Sequence, residues 1–175
     1  MLPVLPLLLA LPAFAQSTSA PTEPPPTVWA SGTDGIGVGV VLGLPTGLTA
    51  AYRPGGPVWG QADVAWSFEN DTFALNIDGL YTLATPAAEH NADFRFPLYV
   101  GVGARLRFGE GAGQGGYNDS VMGIRIPVGM CFSHEGFPIE AFLELAPGVG
   151  IVPDTRGLFD IGVGARFYLP GTARQ

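Results

Sequence analysis

Two short stretches of the sequence combine residue types that can do chemistry. In the first, Ser133, His134 and Glu135 stand side by side as a hydroxyl, an imidazole and a carboxylate. A histidine base activates a serine nucleophile when the two side chains are within hydrogen-bond reach. Neighbouring residues at a strand end point in different directions, however, and this stretch is predicted to form a turn. We therefore expect no catalytic pair here. His90, the only other histidine, lies in a separate connection, which argues against a metal site.

The second stretch is GAGQGG at 111–116, a literal copy of the glycine pattern G-x-G-x-x-G. In dinucleotide-binding proteins this pattern joins a strand to a helix. Here the residues that follow, SVMGIRIPVGMCF, alternate between apolar and other residues as a strand does. We therefore predict a loop rather than a nucleotide site, and we expect no cofactor and no metal.

A set of charged residues offers a different kind of chemistry, because its members share the non-apolar side of alternating segments. All basic residues of the chain are arginines, and one planar guanidinium can pair with two carboxylates at once. Unpaired buried charge is costly, so an enclosed set should contain arginines and carboxylates in near balance. The predicted cluster contains Arg105, Arg107, Arg125, Arg166, Asp63, Asp78, Glu140, Glu144 and Asp160. We expect a structural plug, with a ligand site or a proton path as the alternative.

The segments that carry these charges alternate in the way of β-strands with two different faces. In one of them Leu98, Val102 and Leu106 share a face, while Arg105 and Arg107 lie on the other. The stretch GVGAR occurs in this segment and again at 162–166, and its glycines are expected to leave space for the inward arginine. The predicted strands are 35–43, 48–53, 58–68, 73–83, 97–108, 120–132, 139–152 and 158–169, with turn-forming clusters between them. Eight sequential antiparallel strands predict an all-β up-and-down barrel.

Composition indicates which face of this barrel points outward. Only 13% of the residues are charged, about half of the ~25% typical of soluble domains. A soluble barrel turns its polar face to water, whereas a membrane barrel turns its apolar face to lipid. The composition therefore favours an eight-stranded antiparallel up-and-down transmembrane β-barrel, with a soluble lipocalin-like barrel as the alternative. Several aromatic residues near strand ends are expected to form girdles at the two interfaces. The aromatic residues near strand ends are Tyr52, Trp59, Trp66, Phe68, Phe73, Tyr81, Phe108, Phe132, Phe159, Phe167 and Tyr168.

The two ends of the chain lie outside this pattern. Residues 2–12 form a short apolar core and AFA at 13–15 fits the small-x-small cleavage rule, so 1–15 is predicted to be a signal peptide. Residues 16–34 are predicted to form a disordered Ser/Thr/Pro-rich leader, 35–169 the barrel and 170–175 a tail.

Cys131, the only cysteine, is expected to be a buried, inert thiol. The net charge of −7 argues against nucleic acid as a partner.

Five segments together carry a resemblance to a known family. They are LPTGLTAAY at 44–52, PLYVGVGARLRF at 97–108, GIRIPVGMCF at 123–132, PIEAFLELAPGVGIVP at 138–153 and GVGARFYL at 162–169. The chain resembles a family of small bacterial outer-membrane β-barrels of unknown function, similar in build to the OmpA/OmpX-like eight-stranded barrels. The resemblance covers the predicted barrel and implies a cell-surface protein of the outer membrane, without enzymatic activity or a cofactor. Its matching motifs contain Arg105, Arg107, Arg125, Glu144 and Arg166.

The resemblance also implies partners and alternatives. We expect a monomer whose partners are outer-membrane lipid and the barrel-assembly machinery, with a structural or surface-interaction role. A small-solute pore or ligand-binding barrel is one alternative, and a lipid-modifying outer-membrane enzyme that uses His134 is another.

Two features depart from the family pattern. The final FYL is followed by PGTARQ, so the strand that the assembly machinery reads is slightly internal, and the connection at 84–93 is long for a periplasmic turn.

Overall fold

A computed structural model describes residues 33–44, 46–67, 72–88, 91–109 and 120–169. The predicted signal peptide, nearly all of the leader, the GAGQGG stretch, His90 and the tail lie outside these residues. Within them the chain is all-β and antiparallel, as predicted, and all segments belong to one sheet. The strands are β1 Gly35–Leu44, β2 Gly47–Arg53, β3 Val58–Ser67, β4 Thr72–Ala84, β5 Ala87–Ala88, β6 Asn91–Arg95, β7 Leu98–Gly109, β8 Val121–Arg125, β9 Val128–His134, β10 Phe137–Val152 and β11 Arg156–Tyr168. No helix in the described ranges is long and apolar enough to cross a membrane.

The order in which the strands pair returns to its starting point. β1 to β4 pair in sequence, β4 pairs with β7, and β10 pairs with β11. β8 and β9 both lie between β7 and β10, so together they fill one strand position. β11 then pairs with β1, from Gly37 opposite Tyr168 to Leu44 opposite Ile161. Eight strand positions thus follow one another in a ring, which is uneven because β2 has seven residues and β10 has sixteen.

The predicted strand 120–132 is wrong in one respect, because it is interrupted at Ile126 and Pro127. Proline has no N–H to donate to a neighbouring strand, so it interrupts a regular ladder. The backbone groups around the break are nevertheless paired. Ile126 N donates to Pro147 O and Gly101 N donates to Pro127 O, each at 2.8 Å. Hydrogen bonding between neighbouring strands therefore continues through the interruption.

The predicted turn at 84–93 is also wrong, because it contains the short antiparallel pair of β5 and β6. β6 continues to the edge of β9, where Phe94 lies opposite His134 and Arg95 opposite Ser133. The sequence ATPAAEHNAD has too few apolar residues to show a strand alternation, so only the neighbouring strand reveals the pairing.

Burial follows the predicted alternation, with the apolar face exposed and the other face buried. In β2, for example, burial alternates at every residue from Gly47 to Arg53. Val102, Ile124 and Val163 are each at least half exposed, whereas Arg125 and Arg166 are almost fully buried. Soluble proteins show the opposite preference, since their arginines face water and their large aliphatic side chains fill the core.

Exposed aromatic residues lie near both ends of the ring. We call the end where β1 begins and β11 finishes the terminal end, and the opposite end the loop end. Near the terminal end the exposed aromatics are Tyr52, Tyr81, Phe132, Phe137 and Phe167, and near the loop end they are Trp66, Phe73, Phe108 and Phe159. Trp59 and Tyr168 differ from the predicted girdle residues because their side chains are buried, and Phe68 lies outside the described residues.

Glycines on the buried face leave space for large side chains of the neighbouring strand. A Cβ atom on Gly103 would collide with the carboxylate of Asp78, its direct cross-strand partner. A Cβ atom on Gly164 would collide with the ring of Phe142, which is likewise its direct partner. The glycines of the two GVGAR stretches therefore accommodate residues from adjacent strands. The expectation that they make room for the arginine of their own strand is wrong.

We predict that Gly164→Ala destabilises the protein by about 1–3 kcal/mol, the usual cost of overpacking a core. The added methyl group would meet both the Phe142 ring and the Val40 carbonyl oxygen, and the latter belongs to the backbone and cannot rotate away. The matched control is Gly157→Ala in the same strand, where a Cβ atom meets nothing within 4 Å. It should change stability by no more than about 0.5 kcal/mol. Urea unfolding followed by tryptophan fluorescence measures both, and equal midpoints for the two variants would contradict the packing argument.

Candidate functional site

All of the predicted charged residues lie on the buried face of the ring, and all except half-buried Arg107 are buried. All of them except Arg107 form two connected groups together with several residues that the prediction did not include. The terminal group consists of Arg53, Glu140, Arg166 and Tyr168. The central group consists of Asp63, Asp78, Arg105, Arg125, Glu144 and Asp160.

Arg166 of β11 is the centre of the terminal group. Its Nη1 lies 3.2 Å from Glu140 Oε1, and its Nε and Nη2 donate to Thr49 Oγ1 at 3.1 and 3.0 Å. Nη2 also donates to Gln61 Oε1. The guanidinium carbon lies 3.9 Å from the centroid of the Phe142 ring, where a cation–π attraction adds to the hydrogen bonds. One side chain of β11 thus contacts β2, β3 and β10.

Arg53 is a member of the terminal group that the sequence reasoning missed. Its Nη2 lies 2.9 Å from Glu140 Oε2, and its Nε donates to Tyr168 Oη at 2.9 Å. Nη2 also donates to the buried thiol of Cys131 at 3.4 Å, and the guanidinium stacks 3.8 Å from the Trp59 ring. The predicted strand 48–53 ends at Arg53, but the predicted charged cluster did not include it, although the alternation of β2 extends to this residue and places it on the buried face.

Arg125 connects the carboxylates of the central group. Its Nε lies 3.3 Å from Asp78 Oδ1 and its Nη1 lies 3.5 Å from Asp160 Oδ2. Its Nη2 pairs with Glu144 Oε1, and Arg105 Nη1 pairs with Asp160 Oδ1. These charges come from five strand positions, so the pairing holds together strands that are distant in the sequence.

Gln61 connects the two groups. Its Nε2 donates to Asp63 Oδ2 at 3.2 Å and to Glu144 Oε2 at 3.1 Å, while its Oε1 accepts from Arg166. Tyr99 adds a hydroxyl donor to Glu144 Oε2 at 2.9 Å. The alternation of β3 and β7 places both residues on the buried face, but the predicted cluster contained charged side chains only.

The two ends of the interior differ in their charges. At the loop end, Arg107 lies near Arg105 and Arg156, and among the described residues it joins none of the salt bridges of the central group. The structure therefore does not bring Arg107 into the predicted cluster of ion pairs. At the terminal end, burial raises the pKa of Asp34, and nearby Arg53 opposes this rise.

The side chains of Ser133 and His134 lie on different faces of β9. Ser133 is buried, whereas His134 is half-buried and its Nδ1 accepts the backbone N–H of Gly136 at 3.0 Å. The imidazole also packs against the rings of Phe94 and Phe137. A base that activates a serine must be within hydrogen-bond reach of its hydroxyl, and this arrangement of the two side chains does not provide that contact.

We compared the chain with protein-family models, with curated proteins and with solved structures. None of the three comparisons found a significant match. The resemblance to small outer-membrane barrels stays a prediction from the sequence.

We predict that Arg166→Met destabilises the protein by about 3–5 kcal/mol, the usual loss when one partner is removed from a buried ion-pair network. Arg53 still pairs with Glu140, but Gln61 Oε1 and Glu140 Oε1 lose their guanidinium donor in a buried site. The side chains of Arg166 and Glu140 are both fully buried. The matched control is Arg95→Met, since the Arg95–Glu135 pair is partly exposed, and this change should cost less than about 1 kcal/mol. Denaturant unfolding of the two purified variants measures the difference. Similar losses in both would show that the buried network contributes no more than a surface pair.

Proposed function

We propose that this chain is an integral outer-membrane protein, folded as an eight-stranded up-and-down β-barrel whose charged interior forms a plug. Its role is structural or in surface interactions. The single observation that carries the proposal is the inverted burial, in which a continuous face of exposed aliphatic side chains surrounds buried arginines and carboxylates. A soluble protein rarely exposes so large an apolar surface, whereas a membrane barrel presents such a surface to lipid.

The spacing of the exposed aromatic residues supports the same proposal. Phe73 and Tyr81 are eight residues apart on β4, and so are Phe159 and Phe167 on β11. At ~3.3 Å per residue and a tilt of ~40°, eight residues rise about 20 Å along a barrel axis. This distance is close to the ~25 Å apolar band that aromatic girdles flank in outer-membrane barrels. The two sets of aromatics are therefore suitably placed for the two membrane interfaces.

The contents of the interior favour a plug over a solute pore. Arg166, Glu140 and Tyr99 are large side chains that reach across the ring and are almost fully buried. An eight-stranded barrel is only wide enough for side chains to fill it. The lipid-modifying alternative receives no support from His134, because its Nδ1 is engaged with the backbone and Ser133 lies on the other face.

We predict that the expressed protein is recovered in the outer-membrane fraction and migrates differently on gels before and after boiling. A folded barrel resists detergent at room temperature and unfolds only when heated, because its hydrogen-bonded ring has no open edge. Cell fractionation followed by gel electrophoresis of boiled and unboiled samples measures both properties. A soluble periplasmic pool without a heat-dependent shift would refute the proposal.

A pair of variants on the exposed face distinguishes lipid from water as its surroundings. Val163 is 53% exposed near the middle of β11. Arginine near the bilayer midplane costs about 2–4 kcal/mol in an outer-membrane barrel, so Val163→Arg should weaken folding into lipid vesicles. Val163→Leu is the control that keeps the position apolar. If both variants fold equally well, the exposed face does not contact lipid.

We predict that the wild-type protein shows no conductance in planar bilayers, and that Glu144→Ala introduces conductance steps. Glu144 accepts from Gln61 and Tyr99 and pairs with Arg125, so its truncation opens the interior at the centre of the plug. The variant should be compared with Val163→Leu, which leaves the interior unchanged. Conductance by the wild-type protein would favour the pore alternative over the plug.

A further inference from the structure

Oxygen-bearing side chains of neighbouring strands surround one small cavity in the central group. Asp63 of β3 lies directly opposite Asn76 of β4, and Asp78 is two residues further along the same face. One carboxylate oxygen from each of Asp63, Asp78 and Glu144 lies within 4.8 Å of the other two. The cavity has a volume of about 20 Å³, and its polar lining consists of Asp63, Asn76, Glu144, Asp160 and Arg125. Val41, Phe142 and Ile161 close its apolar side, and Asp78 lies next to the cavity rather than in its lining. A single water molecule needs a cavity of roughly 10–15 Å³, so this cavity has room for one small occupant.

Asn76 provides an observation that is independent of the acidic residues. Its side chain is 1% exposed, it lines the cavity, and its Oδ1 has no hydrogen-bond partner among the described residues. Asp63 Oδ1 also lacks a hydrogen-bond partner, and so do both carboxylate oxygens of Asp78, although Arg125 Nε lies 3.3 Å from one of them. Buried acceptors without a donor are rare because they lose their interaction with water and gain nothing in return. The unpaired oxygens of Asp63, Asn76 and Asp78 therefore favour an occupant that is positively charged or donates hydrogen bonds.

The charges of the central group point to a cation as that occupant. The central group holds four carboxylates, those of Asp63, Asp78, Glu144 and Asp160, and two guanidiniums, those of Arg105 and Arg125. Half-buried Arg107 lies near Asp160 but joins none of these salt bridges. When all members are ionised, the carboxylates therefore outnumber the guanidiniums by two, and Arg107 offsets at most one of these charges. Burying such an excess is costly, and one divalent cation neutralises it.

The size of the cavity distinguishes between the common hard cations. Carboxylate and amide oxygens suit both Ca²⁺ and Mg²⁺. Mg²⁺ dehydrates reluctantly and usually keeps several of its waters, whereas Ca²⁺ accepts irregular sets of protein oxygens. A cavity with room for one water-sized occupant cannot hold a hydrated Mg²⁺ ion. We infer that the interior of this protein binds one Ca²⁺ ion through Asp63, Asn76 and Asp78, with Glu144 beside it.

The test is a Ca²⁺ titration of the full chain, folded and purified in mild detergent and stripped with EDTA. Calorimetry should show one site per chain. Ca²⁺ at about a hundredfold above its Kd should raise the thermal unfolding midpoint by about 5–10 °C over the EDTA-treated protein. The same titration with Mg²⁺ should give much weaker binding. A flat Ca²⁺ titration would overturn the inference, because protons would then balance the carboxylates, and Mg²⁺ binding of equal strength would overturn the assignment to Ca²⁺.

Two variants locate the site. Asp63→Asn removes one charge at nearly constant shape, and Asn76→Ala removes a neutral oxygen without changing any charge. Each should weaken Ca²⁺ binding by at least about tenfold, the smallest loss usual even for an outer-shell partner of a metal. Asp154→Asn, at an exposed carboxylate of the loop end, is the matched control and should bind Ca²⁺ like the wild type. Heat-dependent gel mobility confirms that each variant is folded before titration. If both interior variants bind Ca²⁺ normally, the ion lies elsewhere and the inference is wrong.

Discussion

The guanidinium of Arg166 is 1% exposed and must be satisfied entirely by other side chains. It contacts Thr49 of β2, Gln61 of β3 and Glu140 of β10, while it is itself anchored on β11. A buried guanidinium without partners costs several kcal/mol. The contacts of Arg166 therefore constrain the relative positions of four strands, two of which are far from it in the sequence. A structure in which these strands shifted against one another would leave this charge uncompensated.

The same constraint fixes the strand register. Because side chains alternate with a period of two, a shift of one residue would move the charged set of a strand to the apolar face. In β10 such a shift would bring Glu140 and Glu144 outward and turn Leu143 inward. The desolvation cost of the displaced carboxylates and the loss of their arginine partners would both oppose it. The ion pairs thus contribute more to the choice of one register than to net stability, since a paired buried charge largely recovers only its own desolvation cost.

The alternation of residue types was sufficient to predict the strands and the two faces, but it could not predict which inward side chains meet. Arg53 was missed because a glycine–proline turn follows it immediately, and Asn76 because a neutral amide carries no charge signal. The interruption at Pro127 could have been expected from the missing N–H alone. The pairing of β6 with β9 could not have been expected from the sequence, because it depends on a tertiary neighbour that the local sequence does not specify. Likewise, the side chains that fill the space beside the GVGAR glycines lie on other strands. Identifying them required the register of the strand pairs.

Gln61 explains how one interior accommodates two groups of opposite charge. The terminal group carries two guanidiniums for one carboxylate, Glu140, while the central group carries an excess of carboxylates. A charged residue between them would add to the imbalance of one group. The amide of Gln61 instead donates to Asp63 and Glu144 and accepts from Arg166, so it satisfies both signs without a charge of its own. An amide neutralises neither group. The carboxylate excess beside Asn76 therefore has to be met by bound protons, by Arg107 near Asp160 or by the inferred cation in the cavity.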